Sequence, residues 1–290
     1  MFSGVYTALI TPFTSEDKID FKAIERLIEG QIKAGVEGFV ILGTTSEAPC
    51  LSHDEKTEIV RFAKKVIKGR VKMVVGAGLN CTASTVELAK DLLQFDPDGF
   101  LIVTPYYNKP NPSGLIAHYA EVGKLGKPII LYHVPGRTGL KVPLKVMADL
   151  AAKVPMLKAI KESEYDVQYL NDEAAALSGK VEILSGNDDM FPYFLAMNGK
   201  GLVSVAANFA PKIFVDIYKG KNAFKTYSEN LKLMEACFYE TNPTCVKYIM
   251  NKLGLCRAGV RLPLGPIAAE TAKKIDTVLE NTDKKYLMGE

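Results

Sequence analysis

Eight short apolar runs recur along this chain, over residues 5–11, 38–43, 73–76, 99–104, 128–134, 157–161, 181–185 and 201–205. They are near-continuous rather than alternating, as expected of strands buried on both faces of a parallel sheet. Helix-period segments separate them. Phe21, Ile24, Leu27, Ile28 and Ile32 form one apolar stripe, with Asp20 as its expected N-cap and Gly35 as its stop. Ser52 and Glu55 have capping-box spacing ahead of a helix carrying Ile59, Val60 and Phe62. Pro128 and Pro155 flank strands, where a missing N–H is tolerated. Eight such units in series predict an α/β protein, a (β/α)8 TIM barrel. From about Phe224 the chain reads helical throughout, with Leu231, Met234, Cys237 and Phe238 on one stripe. Pro243 falls at the favoured first-turn position of a second helix. The expected organisation is a barrel over residues 1–223 and a C-terminal helical region over 224–290. A doubly wound open sheet would need a glycine-rich phosphate loop after the first strand. Thr11-Pro12-Phe13-Thr14 stands there instead.

Composition removes several function classes. Among 290 residues the net charge is only +3 and no Lys/Arg block stands out, so no nucleic-acid or membrane-surface footprint is expected. The five cysteines are scattered without Cys-x-x-Cys spacing, which argues against zinc and disulfide frameworks. No leader pattern precedes the first strand and no apolar run is long enough to cross a bilayer, so the expected compartment is a reducing cytoplasm. His53, His118 and His133 do not form a ligand motif, and no metal is expected.

The C-terminal ends of barrel strands face the active site, and here they carry unusual chemistry. Lys161 ends the run Met156-Leu157-Lys158-Ala159-Ile160-Lys161. A lysine so placed snorkels to water, pairs with a carboxylate, or serves as a neutral amine nucleophile. The last role opposes the ammonium's ordinary bias of roughly 4–5 kcal/mol at neutral pH, which burial and neighbouring groups can supply. Gly43-Thr44-Thr45 presents backbone N–H groups and two hydroxyls, either as a nest for a small anion or as an ordinary turn. Tyr132 is either a core tyrosine or a proton relay, its hydroxyl held by Thr44 and another tyrosine. Arg137 is either a surface ion-pair partner or a bidentate grip on a carboxylate. His133, alternating with Tyr132, reads as structural, and Gly76-Ala77-Gly78 as a turn.

Taken in order, segments 4–12, 43–47, 104–110, 132–139, 161–162, 185–188 and 201–208, with Asn242-Pro243 and Arg261-Leu262-Pro263-Leu264, resemble the dihydrodipicolinate synthase / N-acetylneuraminate lyase family over essentially the whole chain. The resemblance implies a pyruvate-dependent class I aldolase that needs no cofactor. Lys161 matches the Schiff-base lysine, and Thr44, Tyr107 and Tyr132 match the hydroxyl relay. Thr45, with backbone at Gly186 and Val203, matches the pyruvate site. In synthase members the tyrosine corresponding to Tyr107 reaches in from a neighbouring subunit, which implies a homo-oligomer, typically a tetramer built as a dimer of dimers. Tyr132-x-x-Pro135-x-Arg137-Thr138 looks like the synthase motif, with Arg137 holding the carboxylate of aspartate semialdehyde.

Departures from the family pattern bear on substrate choice. Ser46 stands where the family usually has glycine, and is strained if that position needs a positive φ. His133 and Gly136 replace the common asparagine and serine. Lysine-inhibited synthases carry an acidic residue where Ser84 stands and usually a histidine where Lys56 stands, so weak or absent lysine inhibition is expected. Two rival readings remain: a pyruvate-dependent aldolase or lyase acting on 2-keto-3-deoxy sugar acids or N-acetylneuraminate, and a non-catalytic keto-acid or protein binder. Arg137 argues against the first, and the full set of Lys161, Tyr132, Thr44 and Tyr107 against the second.

Overall fold

In the computed structural model, residues 2–289 are described. Eight parallel strands hydrogen-bond in chain order into a closed barrel. They are β1 Gly4–Ala8, β2 Gly38–Ile41, β3 Lys72–Gly76, β4 Gly99–Val103, β5 Ile129–His133, β6 Leu157–Glu162, β7 Glu182–Ser185 and β8 Gly201–Ser204. All eight expected runs are strands, with bounds trimmed or extended by up to three residues.

The helices are α1 Phe21–Ala34, α2 His53–Ile67, α3 Thr82–Leu93, α4 Pro112–Gly123, α5 Pro135–Thr138, α6 Leu144–Lys153, α7 Val167–Leu177, α8 Phe191–Ala196, α9 Pro211–Tyr218, α10 Ala223–Ala236, α11 Thr244–Lys252 and α12 Ala269–Glu280. The caps act as the sequence predicts. Asp20 accepts from the Ala23 N–H, Gly35 ends α1 in the left-handed region, and Ser52 and Glu55 form a complete capping box. Each such cap is worth about 1 kcal/mol. The C-terminal region is not helical throughout: residues 253–268 form turns, bends and irregular chain between α11 and α12. Pro243 sits one residue ahead of α11, at its N-cap rather than in its first turn. On α10 the buried residues are Thr226, Asn230, Leu233, Met234 and Ala236, while Phe238 is exposed.

The chain divides into two compact units, residues 2–3 with 73–203, and residues 4–72 with 204–289. In the first, β3 to β8 pair in parallel registers. Gly78, just past β3, passes so close to β4 that a Cβ there would lie 2.4 Å from the Val103 nitrogen. Pairing of β5 with β6 is irregular: Ile129 is opposite Leu157 but Ile130 is opposite Ala159, so Lys158 is one extra residue in β6. In the second unit, the Asn208 side-chain amide donates to the Ala8 and Val205 carbonyls and accepts from the Ile10 N–H, tying the end of β1 to the turn after β8.

Candidate active site

The register shift in β6 decides which residues meet. It sets Lys161 opposite Tyr132 and Glu162 opposite His133. Successive strand residues point to opposite faces. Glu162 and His133 turn outward, toward α7, where the His133 ring lies 5.6 Å from the Tyr169 ring. Lys161 and Tyr132 therefore turn inward. The Lys161 Nζ lies 4.1 Å from the Tyr132 ring centroid, and both side chains are buried, at 6% and 7% exposure. A π-face held against an amine replaces water with a partly matched electrostatic surface. Gly186 closes the other side. Its N–H donates to the Glu162 carbonyl at 2.6 Å, and a Cβ there would lie 3.0 Å from Lys161 Cε and 2.0 Å from Ser163 Oγ. Any larger residue would strike Ser163 Oγ and crowd both the Glu162 carbonyl and the lysine, so glycine is required by close approach. Val203, in β8, is fully buried.

Arg137 lies in α5 and is exposed, while the next residue, Thr138, is buried. Tyr107 stands apart from these side chains. It is 89% exposed with φ of 72°, a left-handed backbone that a bulky side chain seldom adopts. The described chain therefore brings Lys161, Tyr132 and Gly186 together and leaves the Tyr107 side chain facing solvent.

In the second unit, Thr44–Ser46 form a 3-10 turn straight after β2, with Thr45 and Ser46 buried. The expected strain at Ser46 is not found. The positive φ falls on Glu47, at 56°, and on Leu42, at 58°. Ser46 instead does a job that glycine cannot, since its hydroxyl donates to the Leu9 carbonyl at 2.6 Å. The Thr11 hydroxyl donates to the Ser46 carbonyl at 2.8 Å.

Residues that sequence reasoning assigned no role hold this turn from far along the chain. The Asn242 amide donates to Thr45 Oγ1 at 2.9 Å. The fully buried Lys247 ammonium pairs with Glu47 and donates to the Gly259 carbonyl at 2.8 Å. Burial depresses the Lys247 pKa, and Glu47 opposes that shift. The Arg261 N–H donates to the second Glu47 oxygen at 2.8 Å, while its guanidinium grips Glu55 with two bonds of 2.7 Å. The Phe13 ring is covered by both cations, at 4.1 Å from Lys247 and 4.5 Å from Arg261. The only sequence signal for these residues is the pair of family-like segments at 242–243 and 261–264, which identifies no partner.

His133 is structural, as its alternation predicts. It is fully buried and its Nδ1 lies 2.6 Å from Glu162. Burial lowers its pKa to about 4, so the ring is neutral at neutral pH. Among the described residues no group of three or more His, Cys, Asp or Glu is placed to hold a metal ion, and no helix is long and apolar enough to cross a membrane.

Comparison with known proteins extends over nearly the whole chain. The model of the dihydrodipicolinate synthetase family matches residues 1–282. The 4-hydroxy-tetrahydrodipicolinate synthase of Fervidobacterium nodosum is 38% identical over 290 residues, covering 97% of this chain and 98% of that protein. The solved structure of 4-hydroxy-tetrahydrodipicolinate synthase from Methylacidiphilum fumariolicum superposes with a TM-score of 0.94 at 35% identity, covering 98% of this chain and 97% of that one. A monomeric dihydrodipicolinate synthase variant superposes with a TM-score of 0.93 at 35% identity, over 97% and 96% of the two chains.

Proposed function

The chain belongs to the dihydrodipicolinate synthetase family, and from that premise we infer that it condenses pyruvate with L-aspartate 4-semialdehyde to give 4-hydroxy-tetrahydrodipicolinate. This is a Schiff-base lyase reaction and the first committed step of diaminopimelate and lysine synthesis. The observation that carries the reading is Lys161, a buried amine lying against the Tyr132 ring beneath a glycine that leaves room for it.

Lys161 attacks the pyruvate ketone and water leaves. The protonated imine acts as an electron sink, so a methyl proton is lost and an enamine forms. The enamine carbon attacks the aldehyde of the second substrate. The substrate's own amine then closes on the imine carbon and displaces Lys161. Tyr132 shuttles the protons, relayed by Thr44 and Tyr107. Thr45 and the backbone at Gly186 and Val203 hold the pyruvate carboxylate. Arg137 holds the carboxylate of the aldehyde substrate.

The assembly we propose is a homo-oligomer, a tetramer as a dimer of dimers, in which Tyr107 serves the site of a neighbouring copy. Its exposure and left-handed backbone support that role, since one chain alone gives the side chain no packing. The domain division we propose is a catalytic barrel over residues 1–223 and a C-terminal region over 224–290 that carries helices α10, α11 and α12. The enzyme works in the cytoplasm, consistent with five free cysteines.

Borohydride with pyruvate should leave a covalent adduct on Lys161, and an assay with pyruvate and aspartate semialdehyde should show turnover. An unmodified Lys161, or cleavage of sugar acids in preference to that condensation, would overturn the assignment.

A further inference from the structure

Behind the catalytic strands lies a buried cluster that the reaction does not use. His133, Glu162 and Glu173 are each fully buried. Glu162 Oε2 lies 2.6 Å from His133 Nδ1, and Glu162 Oε1 accepts from the Glu164 N–H at 2.7 Å. The other ring nitrogen, Nε2, accepts from the Val142 N–H at 3.0 Å. That bond fixes the tautomer, because an accepting Nε2 leaves the proton on Nδ1, which donates to Glu162. Glu173, on α7, lies against Glu162, and neither of its oxygens meets a protein donor. Two carboxylates touch in a dry interior only if a proton stands between them. Glu162 already accepts two bonds, so Glu173 is the protonated member and donates to it.

This cluster reaches the arginine segment at its far end. Arg137 sits in α5, directly after β5, and the chain returns through Val142. Val142 is held at both polar atoms: its N–H by His133, and its carbonyl by the Tyr169 hydroxyl at 2.8 Å. Lys141, one residue earlier, pairs with Asp166 at 2.7 Å. The start of the segment is fixed by β5, and its return by the histidine.

We propose that His133, backed by Glu162 and Glu173, is a clamp that positions the Arg137 segment for the second substrate's carboxylate. All three are positioning residues acting through Val142. The proposal rests on the reading that Arg137 holds that carboxylate.

The test variant is His133→Asn, whose amide still donates to Glu162 but falls short of Val142. The Val142 amide should lose protection in hydrogen exchange. The KM for aspartate semialdehyde should rise roughly three- to tenfold, the value of one lost hydrogen bond. The pyruvate KM, kcat and borohydride trapping on Lys161 should stay within about twofold. Glu173→Leu, which removes the donor, should move the same KM in the same direction. Glu173→Gln, which keeps a donor, should match the parent and covers the case in which the other variants fail to fold. Unchanged Val142 protection in His133→Asn overturns the clamp. So does lost protection with an unmoved KM, or a Glu173→Gln enzyme as impaired as Glu173→Leu. If Arg137→Ala itself leaves the aldehyde KM in place, the role of Arg137 falls, and Val142 exchange still judges the clamp.

Discussion

Tyr132 and Lys161 are cross-strand partners, and the lysine Nζ lies over the tyrosine ring, 4.1 Å from its centroid. The ring and the phenol therefore have separable duties, one packing the amine and the other moving protons. Tyr132→Phe keeps the ring and removes the proton carrier. Its kcat should fall by about 10²- to 10⁴-fold, the usual contribution of a general acid–base group. The pyruvate adduct on Lys161 should still be trapped, more slowly. Steady-state rates and mass spectrometry after borohydride report the two separately, and a kcat within threefold of the parent would remove Tyr132 from proton transfer.

Arg137 is exposed in one chain, so its loss should cost binding rather than folding. Hydrogen bonds to a charged partner are worth about 1.5–3 kcal/mol, which corresponds to about ten- to a hundredfold in kcat/KM for aspartate semialdehyde in Arg137→Ala. Pyruvate imine formation should be unchanged. Equal losses for both substrates would refute a carboxylate grip.

Lys247 is a buried cation whose charge is matched by Glu47. Removing one member of such a pair strands the other, typically at about 3–5 kcal/mol. Lys247→Met should lower stability by about that amount in urea unfolding. Adding Glu47→Gln, so that neither charge remains, should restore part of the loss. A single variant as stable as the parent would show that Glu47 finds water.

The buried carboxyl pair makes stability depend on pH. Burial raises the Glu162 pKa from 4.5 to about 8 and raises Glu173 well above its ordinary value. The folded pair then keeps, between its two carboxyls, a proton that the unfolded chain has already released. The resulting stabilisation is full below about pH 4.5 and is lost as pH rises through about 8. His133 works in the opposite sense, held neutral in the fold at about 4, so its contribution is full above about 6.5 and lost as pH falls toward 4. The charges of Glu164 and Lys141 also act on the ring, in opposite senses. In Glu173→Gln the alkaline decline should flatten, measured as urea midpoints at pH 6 and pH 9. Parallel declines in the variant and the parent would rule out a shared proton.

Feedback by lysine should be weak. Lys56 is a half-buried cation whose pKa burial lowers, and Ser84 spends its side chain on the exposed Cys81 sulfur. Neither offers a carboxylate to a ligand ammonium. Sub-millimolar lysine should remove less than half of the activity in a steady-state titration, given the few kcal/mol such affinities need. Half-inhibition in that range would refute the prediction.

The fold was legible because strands buried on both faces leave unbroken apolar runs, and because Asp20, Ser52 and Glu55 signal helix starts by local bonds. Lys161 and Tyr132 were legible as strand-end chemistry. The extra residue at Lys158 was not, because register depends on the partner strand. Asn242, Lys247 and Arg261 were not, since they meet Thr45, Glu47 and Glu55 across about two hundred residues of chain. Glu173 was not legible either, since only packing reveals that it is buried. At Ser46 the family pattern suggested strain, but the left-handed step is taken by Glu47.

The register irregularity in β6 makes strand length a determinant of chemistry. Deleting Lys158 alone would close the irregularity, since Leu157 and Ala159 already pair with the successive residues Ile129 and Ile130, and Lys161 would stay opposite Tyr132. Deleting Ile160 as well would leave every catalytic residue type in the chain yet turn the inward side of β6 outward, setting Glu162 opposite Tyr132 and Lys161 opposite Leu131. Both changes preserve every functional side chain, but the second exchanges an amine for an acid at the reacting carbon. In this strand the number of residues missing from an alignment carries as much meaning as the loss of the lysine itself.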